Sequence, residues 1–194
     1  MKRKTAKELL TESFRELAQD KSIDKITIGQ IAENCGYSPA TFYRHFKDKY
    51  DLIAWDYARG MAGIMGQIDG ESYSWKRTLT DGARRFYDEK EYLVNLLRHT
   101  AGHDSFVRYM TEINFDILKK HYLTAAGKEE LTQRETLYLR IYCLGTVSLT
   151  CEWLLGRYDA SPETIAEIYE NSLPEPLREV LHQKNVKKNE RITI

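Results

Sequence analysis

Cysteine is scarce in this chain, and its spacing excludes most of what cysteine does. The 194 residues contain three, Cys35, Cys143 and Cys151, with no CxxC pair. Cys143 and Cys151 are eight apart, about 12 Å along a helix axis, which is too far to bridge. A reduced, cytoplasmic protein is the simplest account. No apolar run approaches the roughly 18 residues of a membrane-spanning helix, and the first helix is too charged for a secretory signal, so no membrane partner is expected. Proline is rare, at positions 39, 162, 174 and 176. No strand pattern, internal repeat or low-complexity segment stands out. Without a strand there is no seat for a Gly-rich phosphate loop, and nucleophilic catalysis has neither a GxSxG elbow nor a reactive cysteine. No catalytic residue, metal or cofactor is expected. Net charge is absent too: 29 Lys/Arg balance 29 Asp/Glu. Spread evenly, that balance argues against nucleic acid. It is uneven, because residues 1–50 hold ten Lys/Arg against seven acids. Any basic surface is therefore local.

What is present concentrates in one stretch, Thr27–Leu52, TIGQIAENCGYSPATFYRHFKDKYDL. Thr27 suits the N-cap of a helix, with Gln30 as its capping-box partner. Ile28, Ile31, Ala32 and Cys35 recur at the spacing of one buried helical face. Gly36 follows where a helix ends in a left-handed residue. Ser38 caps a second helix, and Pro39 fits its first position, where a missing N–H loses nothing. Helix, short Gly-containing turn, helix is the helix-turn-helix pattern. In the second helix Phe42 and Phe46 share a face and should bury it. Ala40, Thr41, Tyr43, Arg44 and His45 are left for the other surface, with no acid from Gly36 to Phe46. An eight-residue helix would be about 12 Å long, matching a major groove about 12 Å wide. Asp48 starts a third helix, with Asp51 as reciprocal capping partner. Lys49 lies in its first turn, where a cation beside backbone N–H groups suits a phosphate.

The run T-I-x-x-I-A-x-x-x-G-Y-S-x-x-T-F-Y-R-H-F-x-D-K-x-D-L resembles the amino-terminal signature of the tetracycline-repressor (TetR) family. The resemblance covers roughly the first 55 residues and implies a DNA-binding domain over residues 1–57. It implies that Thr27 and Tyr43 touch phosphates, that Thr41 and Arg44 enter the groove, and that Lys49 holds a phosphate. Ser38, Pro39, Ala40 and His45 complete the DNA-facing set. Pro39–Ala40 departs from the polar residue that many members carry, so base preference does not transfer. The family also implies a homodimer, in which the last two long helices of each subunit form a four-helix interface. Two-fold symmetry would then set two reading helices about 34 Å apart on a pseudo-palindromic operator of double-stranded DNA. The carboxyl-terminal half is more loosely similar to the branch containing activators of dihydroxyacetone kinase genes. Trp55, the Y-S-W at 73–75 and the E-W-L-L-G-x-Y-x-x-S-P-E-x-I run at 152–165 carry that likeness.

The rest of the chain also reads as helical, and the fold class is all-α. Lys2-Arg3-Lys4 is a basic arm, either solvated or on a phosphate, ahead of a helix capped by Thr5 with Glu8. Gly60, Gly63, Gly66 and Gly70 mark the joint between two modules, since each helical Gly costs about 1 kcal/mol against Ala. The third helix should therefore weaken or end between residues 60 and 70. A second module, residues 58–183, holds helices over Trp75–Arg98, Ser105–Tyr122 and Thr132–Leu155, with a loop at Leu123–Leu131. Its last long helix is opened by Ser161-Pro162-Glu163 and stopped by Pro174 and Pro176. The helix over 132–155 is apolar nearly all round, so it needs cover on every side, and a partner subunit is one candidate cover. Gly145 and Ser148 would allow close approach. Residues 184–194 read as a flexible basic tail.

These features point to a ligand-responsive, homodimeric DNA-binding repressor whose effector is a small molecule or a coregulator protein. An activator working with a coregulator is the alternative. Tyr109, Tyr138, Tyr142 and Trp153 are candidates to line an effector pocket between helices. Glu152, a lone acid in the most apolar helix, is either a recognition group or a paired rim residue. His99 and His103 have the i, i+4 spacing of a shared metal, with Asp104 adjoining. No Glu stands in the HExxH position and Gly102 weakens a helix there, so a loop or helix end is the plainer reading. A small helical metal enzyme using that pair is the distant alternative.

Overall fold

The computed structural model describes residues 4–65, 74–102 and 105–182. Among them the chain forms ten α-helices, one 3-10 turn and no strand. The helices are α1 (Ala6–Asp20), α2 (Ile28–Asn34), α3 (Pro39–Tyr43), α4 (Lys49–Met65) and α5 (Trp75–Asp88). There follow α6 (Lys90–His99), α7 (Phe106–Ala126), α8 (Gln133–Leu154), α9 (Pro162–Asn171) and α10 (Glu175–Leu181). They form two compact units. One comprises the described residues up to Gly60 together with Glu89–Met110; the other comprises Met61–Asp88 and the described residues from Thr111 onward. Lys2, Arg3, Gly66, Gly70, Tyr73, His103, Asp104 and the 184–194 tail lie outside the described residues.

The first unit is larger than a boundary after residue 57 implies, and polar anchors explain why. Thr5 and Glu8 close a capping box that starts α1, whose Leu10, Phe14 and Ala18 are buried. Arg15, on the same helix, reaches Asp56 of α4 at 2.7 Å and Glu89 at 3.1 Å. The Tyr92 hydroxyl of α6 donates to the same Asp56 carboxylate at 3.2 Å. Asn95, one turn on, donates to the carbonyls of Ala18 and Lys21 and accepts from the Ile23 N–H. A buried carboxylate such as Asp56 persists only when paired and hydrogen-bonded, and here it has both. The helix read from the sequence as continuous over Trp75–Arg98 breaks at Glu89. Its backbone leaves the helical region (φ −97°, ψ 15°) and its carboxylate goes to Arg15.

The second unit packs around Trp75, Phe115, Leu118, Leu139, Leu173 and Leu177. Thr132 and Glu135 close a capping box that starts α8. Glu135 also accepts from Lys128 and from the Tyr122 hydroxyl, both at 2.6 Å. The Lys128 ammonium, then those other donors, pull its carboxyl down to about 2. One helix end falls where expected and another runs past it. Helix α4 continues through Gly60 and Gly63 to Met65, within the 60–70 window, whereas α7 passes Tyr122 and reaches Ala126 before Gly127 turns the chain at φ +66°. Within its own unit α8 is not covered on every side: Leu137, Ile141 and Leu144 are 63%, 68% and 56% exposed.

Candidate nucleic-acid interface

The sequence from Thr27 to Asp48 folds locally as its caps dictate. Thr27 Oγ1 accepts from the Gln30 N–H, and the Gln30 side chain accepts from the Thr27 N–H at 3.0 Å. Ile31 and Ala32 are buried, while Cys35 is half-buried and its thiol is pushed up by burial. Gly36 takes φ +74°, and the Tyr37 N–H returns to the Ala32 carbonyl at 2.8 Å. That left-handed residue and returning bond end α2 and re-aim the chain. Ser38 Oγ accepts from the Thr41 N–H and so caps α3, with Pro39 in its first turn.

The two phenylalanines seat the helix. Phe42 and Phe46 are buried with rings 5.7 Å apart, and Phe46 meets Trp55 of α4 edge-on at 5.8 Å. Helix α3 is shorter than the eight residues expected. It spans five, capped by Arg44, and a turn then delivers Phe46 to the core, keeping one helical bond from its N–H to the Phe42 carbonyl. The face it offers is consequently shorter than a groove is wide, about 7.5 Å of helix.

On that face Ser38, Pro39, Ala40, Tyr43 and Arg44 are exposed, as is Thr27 at the start of α2, whereas Thr41 and His45 are half-buried. Tyr43 is 60% exposed and held edge-on against Phe42 at 5.8 Å. Arg44 donates to Thr41 Oγ1 at 3.0 Å, and that oxygen lies 3.3 Å from Ser38 Oγ. Donors and acceptors able to meet base edges and phosphates are thus brought together on one short element. Lys49 sits differently. Its ammonium donates to the carbonyls of Ile23, Asp24 and Ile26 at 2.9, 3.1 and 3.1 Å. All three N–H donors are used, and burial lowers its pKa. The start of α4 also departs in detail from reciprocal capping. Asp48 accepts from the Tyr50 and Asp51 N–H groups, while Asp51 accepts from Lys47 rather than Asp48.

The second unit contains an apolar cavity of about 90 Å³. Of the five residues proposed for a ligand, Tyr142 alone lines it. Trp153 is buried, donates to the Ala160 carbonyl and stacks on Tyr87. Glu152 pairs with Arg157 at 3.4 Å, the rim role. Tyr138 accepts from Arg134, and Tyr109 belongs to the first unit. Sequence reasoning missed Trp75, Phe86 and Tyr169, which come from distant elements. It also missed Thr146 and Thr150, although Tyr142, Thr146 and Thr150 form an i, i+4, i+8 stripe that could have shown them. His99 pairs with Asp24 at 3.3 Å, and among the described residues no three His, Cys, Asp or Glu gather around a metal-sized space. No helix of the described residues is long and apolar enough to cross a membrane.

Residues 10–54 match the model of the bacterial regulatory proteins, tetR family. A stretch of 51 residues is 35% identical to an uncharacterized HTH-type transcriptional regulator of Haemophilus influenzae, covering 26% of this chain and 25% of that protein. The match therefore spans only a quarter of that relative's length. Three solved structures share the fold at a TM-score of 0.60. The dihydroxyacetone kinase operon activator DhaS is 15% identical, with 90% of this chain and 95% of that one covered. A TetR transcriptional regulator from Rhodococcus sp. RHA1 is 19% identical, covering 86% and 94%. The third, Thermus thermophilus FadR, is a TetR family transcriptional repressor in complex with lauroyl-CoA, 14% identical over 86% and 92%. The capped α2–turn–α3 unit at Thr27–Phe46 thus lies within the segment, residues 10–54, that matches the bacterial regulatory proteins of the tetR family.

Proposed function

We propose that this chain is a cytoplasmic, homodimeric, ligand-responsive repressor that binds a pseudo-palindromic operator. The observation that carries this is the acid-free surface at Ser38–His45, where Arg44, Thr41 and Tyr43 stand together over two buried phenylalanines. Arg44, Thr41 and His45 read the groove, Ser38, Pro39 and Ala40 pack against its wall, and Tyr43 and Thr27 hold phosphates. Lys49 serves that surface by position: its ammonium ties the Ile23–Ile26 loop, which leads directly into Thr27.

The exposed apolar stripe of α8 supports the dimer. Leu137, Ile141 and Leu144 repeat at helical spacing with Gly145 and Ser148 exposed beside them, and Ile168 of α9 is 42% exposed. Exposed leucine and isoleucine in such a row favour association with a like surface. The apolar cavity supports the ligand. The last turn of α4 contributes Met61, Ile64 and Met65 to its wall, while the first turn of α4 follows the reading stretch. Occupancy that prefers one placement of that helix changes operator affinity by differential binding.

Selection from random-sequence DNA with purified protein tests the reading. The expected product is an inverted repeat, and Ile141→Glu should leave a monomer that binds it far more weakly. Enrichment of no sequence would overturn the proposal. An activator acting with a coregulator would select the same repeat but raise, rather than lower, transcription of a reporter placed behind it.

A further inference from the structure

The cavity of the second unit has a chemical specification that its volume alone does not convey. No Lys, Arg, His, Asp or Glu lines it. Its titratable walls hold their protons: burial pushes the Cys143 thiol and the Tyr169 phenol each up to about 12, and raises Tyr142 further. A charged guest would lose its hydration there with no opposite charge to meet.

The wall hydroxyls are already committed. Tyr142 donates to the Tyr169 carbonyl at 3.0 Å, Thr146 to the Tyr142 carbonyl at 2.8 Å, and Thr78 to the Ser74 carbonyl at 3.4 Å. Thr150 and the Tyr169 hydroxyl bond to each other. One donor among the lining residues is different. Trp75 is 5% exposed and lines the cavity, and its indole N–H is the single buried side-chain polar atom among the described residues without a hydrogen-bond partner. Buried polar atoms are satisfied in the great majority of cases, and an orphan donor calls for an explanation.

Accepting the ligand-responsive reading above, we infer that the cavity recognises a small, neutral, largely apolar molecule carrying one hydrogen-bond acceptor, which takes the Trp75 N–H. A ketone, ester or ether oxygen on a short hydrocarbon body has this chemistry. Size sets the scale. An apolar cavity of about 150 Å³ accommodates benzene, so about 90 Å³ suits a somewhat smaller body unless the wall yields. Met61 and Met65, unbranched and adaptable, are the side chains of the wall best able to yield.

A matched set of probes tests this on the full-length protein without DNA: cyclopentanone, cyclopentane and cyclopentanecarboxylate. Their ring bodies are alike and they differ in the acceptor and the charge. Binding is read by the ¹H–¹⁵N resonance of the Trp75 indole and by the dissociation constant of each probe. Cyclopentanone should move that resonance downfield and bind about three- to tenfold tighter than cyclopentane, the advantage of one neutral hydrogen bond. Cyclopentanecarboxylate should not compete. In Trp75→Phe, which keeps an aromatic wall and removes the donor, the two neutral probes should bind equally. An unmoved indole resonance in the wild type would overturn the assignment, as would a ketone preference that survives Trp75→Phe or carboxylate binding as tight as that of the ketone. Because the wild-type readout needs no DNA, failure here with intact operator binding sinks only the ligand class. Success here without sequence-selective DNA binding sinks only the regulator reading.

Discussion

Replacing Lys49 with methionine separates two jobs that one ammonium could hold. In the folded chain its three N–H groups meet the carbonyls of Ile23, Asp24 and Ile26. A hydrogen bond from a charged donor is worth roughly 1.5–3 kcal/mol, but these three share one ammonium and the site is only half-buried, so water recovers part of the loss. Burial already lowers the pKa of this group, which means that the cation gives up hydration to sit there. The net cost of Lys49→Met should be about 1–2 kcal/mol. For a chain of this length that lowers the melting temperature by about 2–8 °C. A phosphate contact makes the opposite pair of predictions. Losing one would leave stability unchanged and reduce the slope of log K against log salt by about 0.9. Thermal unfolding and a salt titration of DNA binding, run side by side, decide between them. A lower melting temperature with an unchanged salt slope is expected. An unchanged melting temperature with a slope reduced by about one would refute the positioning role.

Three further outcomes are expected. Asn95→Ala strands the Ile23 N–H and the Ala18 and Lys21 carbonyls, and should cost about 1–3 kcal/mol in urea unfolding. An effect below about 0.5 kcal/mol would show that water replaces all three bonds. Glu135 has its folded pKa depressed from 4.5 to about 2, so its contribution is complete above pH 4.5 and is lost as pH falls toward 2. Glu135→Gln should be less stable at neutral pH yet lose less stability than the wild type between pH 4.5 and 2; parallel melting curves across that window would contradict the pairing with Lys128. Ile141→Glu should halve the mass seen by sedimentation equilibrium without shifting the helical circular dichroism signal, and an unchanged mass would place the dimer face elsewhere.

Local chemistry was legible in the sequence, and distant chemistry was not. The capping boxes at Thr5 and Thr27 and the caps at Ser38 and Ser161 are all found at the expected residues, because each acts within four residues of itself. The burial of Phe42 and Phe46 follows from spacing alone. The length of α3 does not, since the turn at Arg44–His45 is needed to set Phe46 against Trp55, a contact nine residues away. Still less could a single sequence show that Arg15 pairs with Glu89, or Asn95 with Ala18, across more than 70 residues. Those pairings move α6 into the unit that carries α3 and break the helix at Glu89. Lys49 illustrates the same limit. Its place in the first turn of α4 was visible, but the loop carbonyls that converge on it lie 23 to 26 residues earlier.

Binding to the DNA upstream of the protein's own gene, wild type beside Arg44→Ala at two salt concentrations, tests the central claim most directly. Saturable, salt-sensitive binding to one pseudo-palindrome is expected, with Arg44→Ala losing roughly 1–3 kcal/mol and its preference at one base pair. If Arg44→Ala binds that sequence and its mutated forms with the same affinities as the wild type, the surface at Ser38–His45 is not what reads DNA.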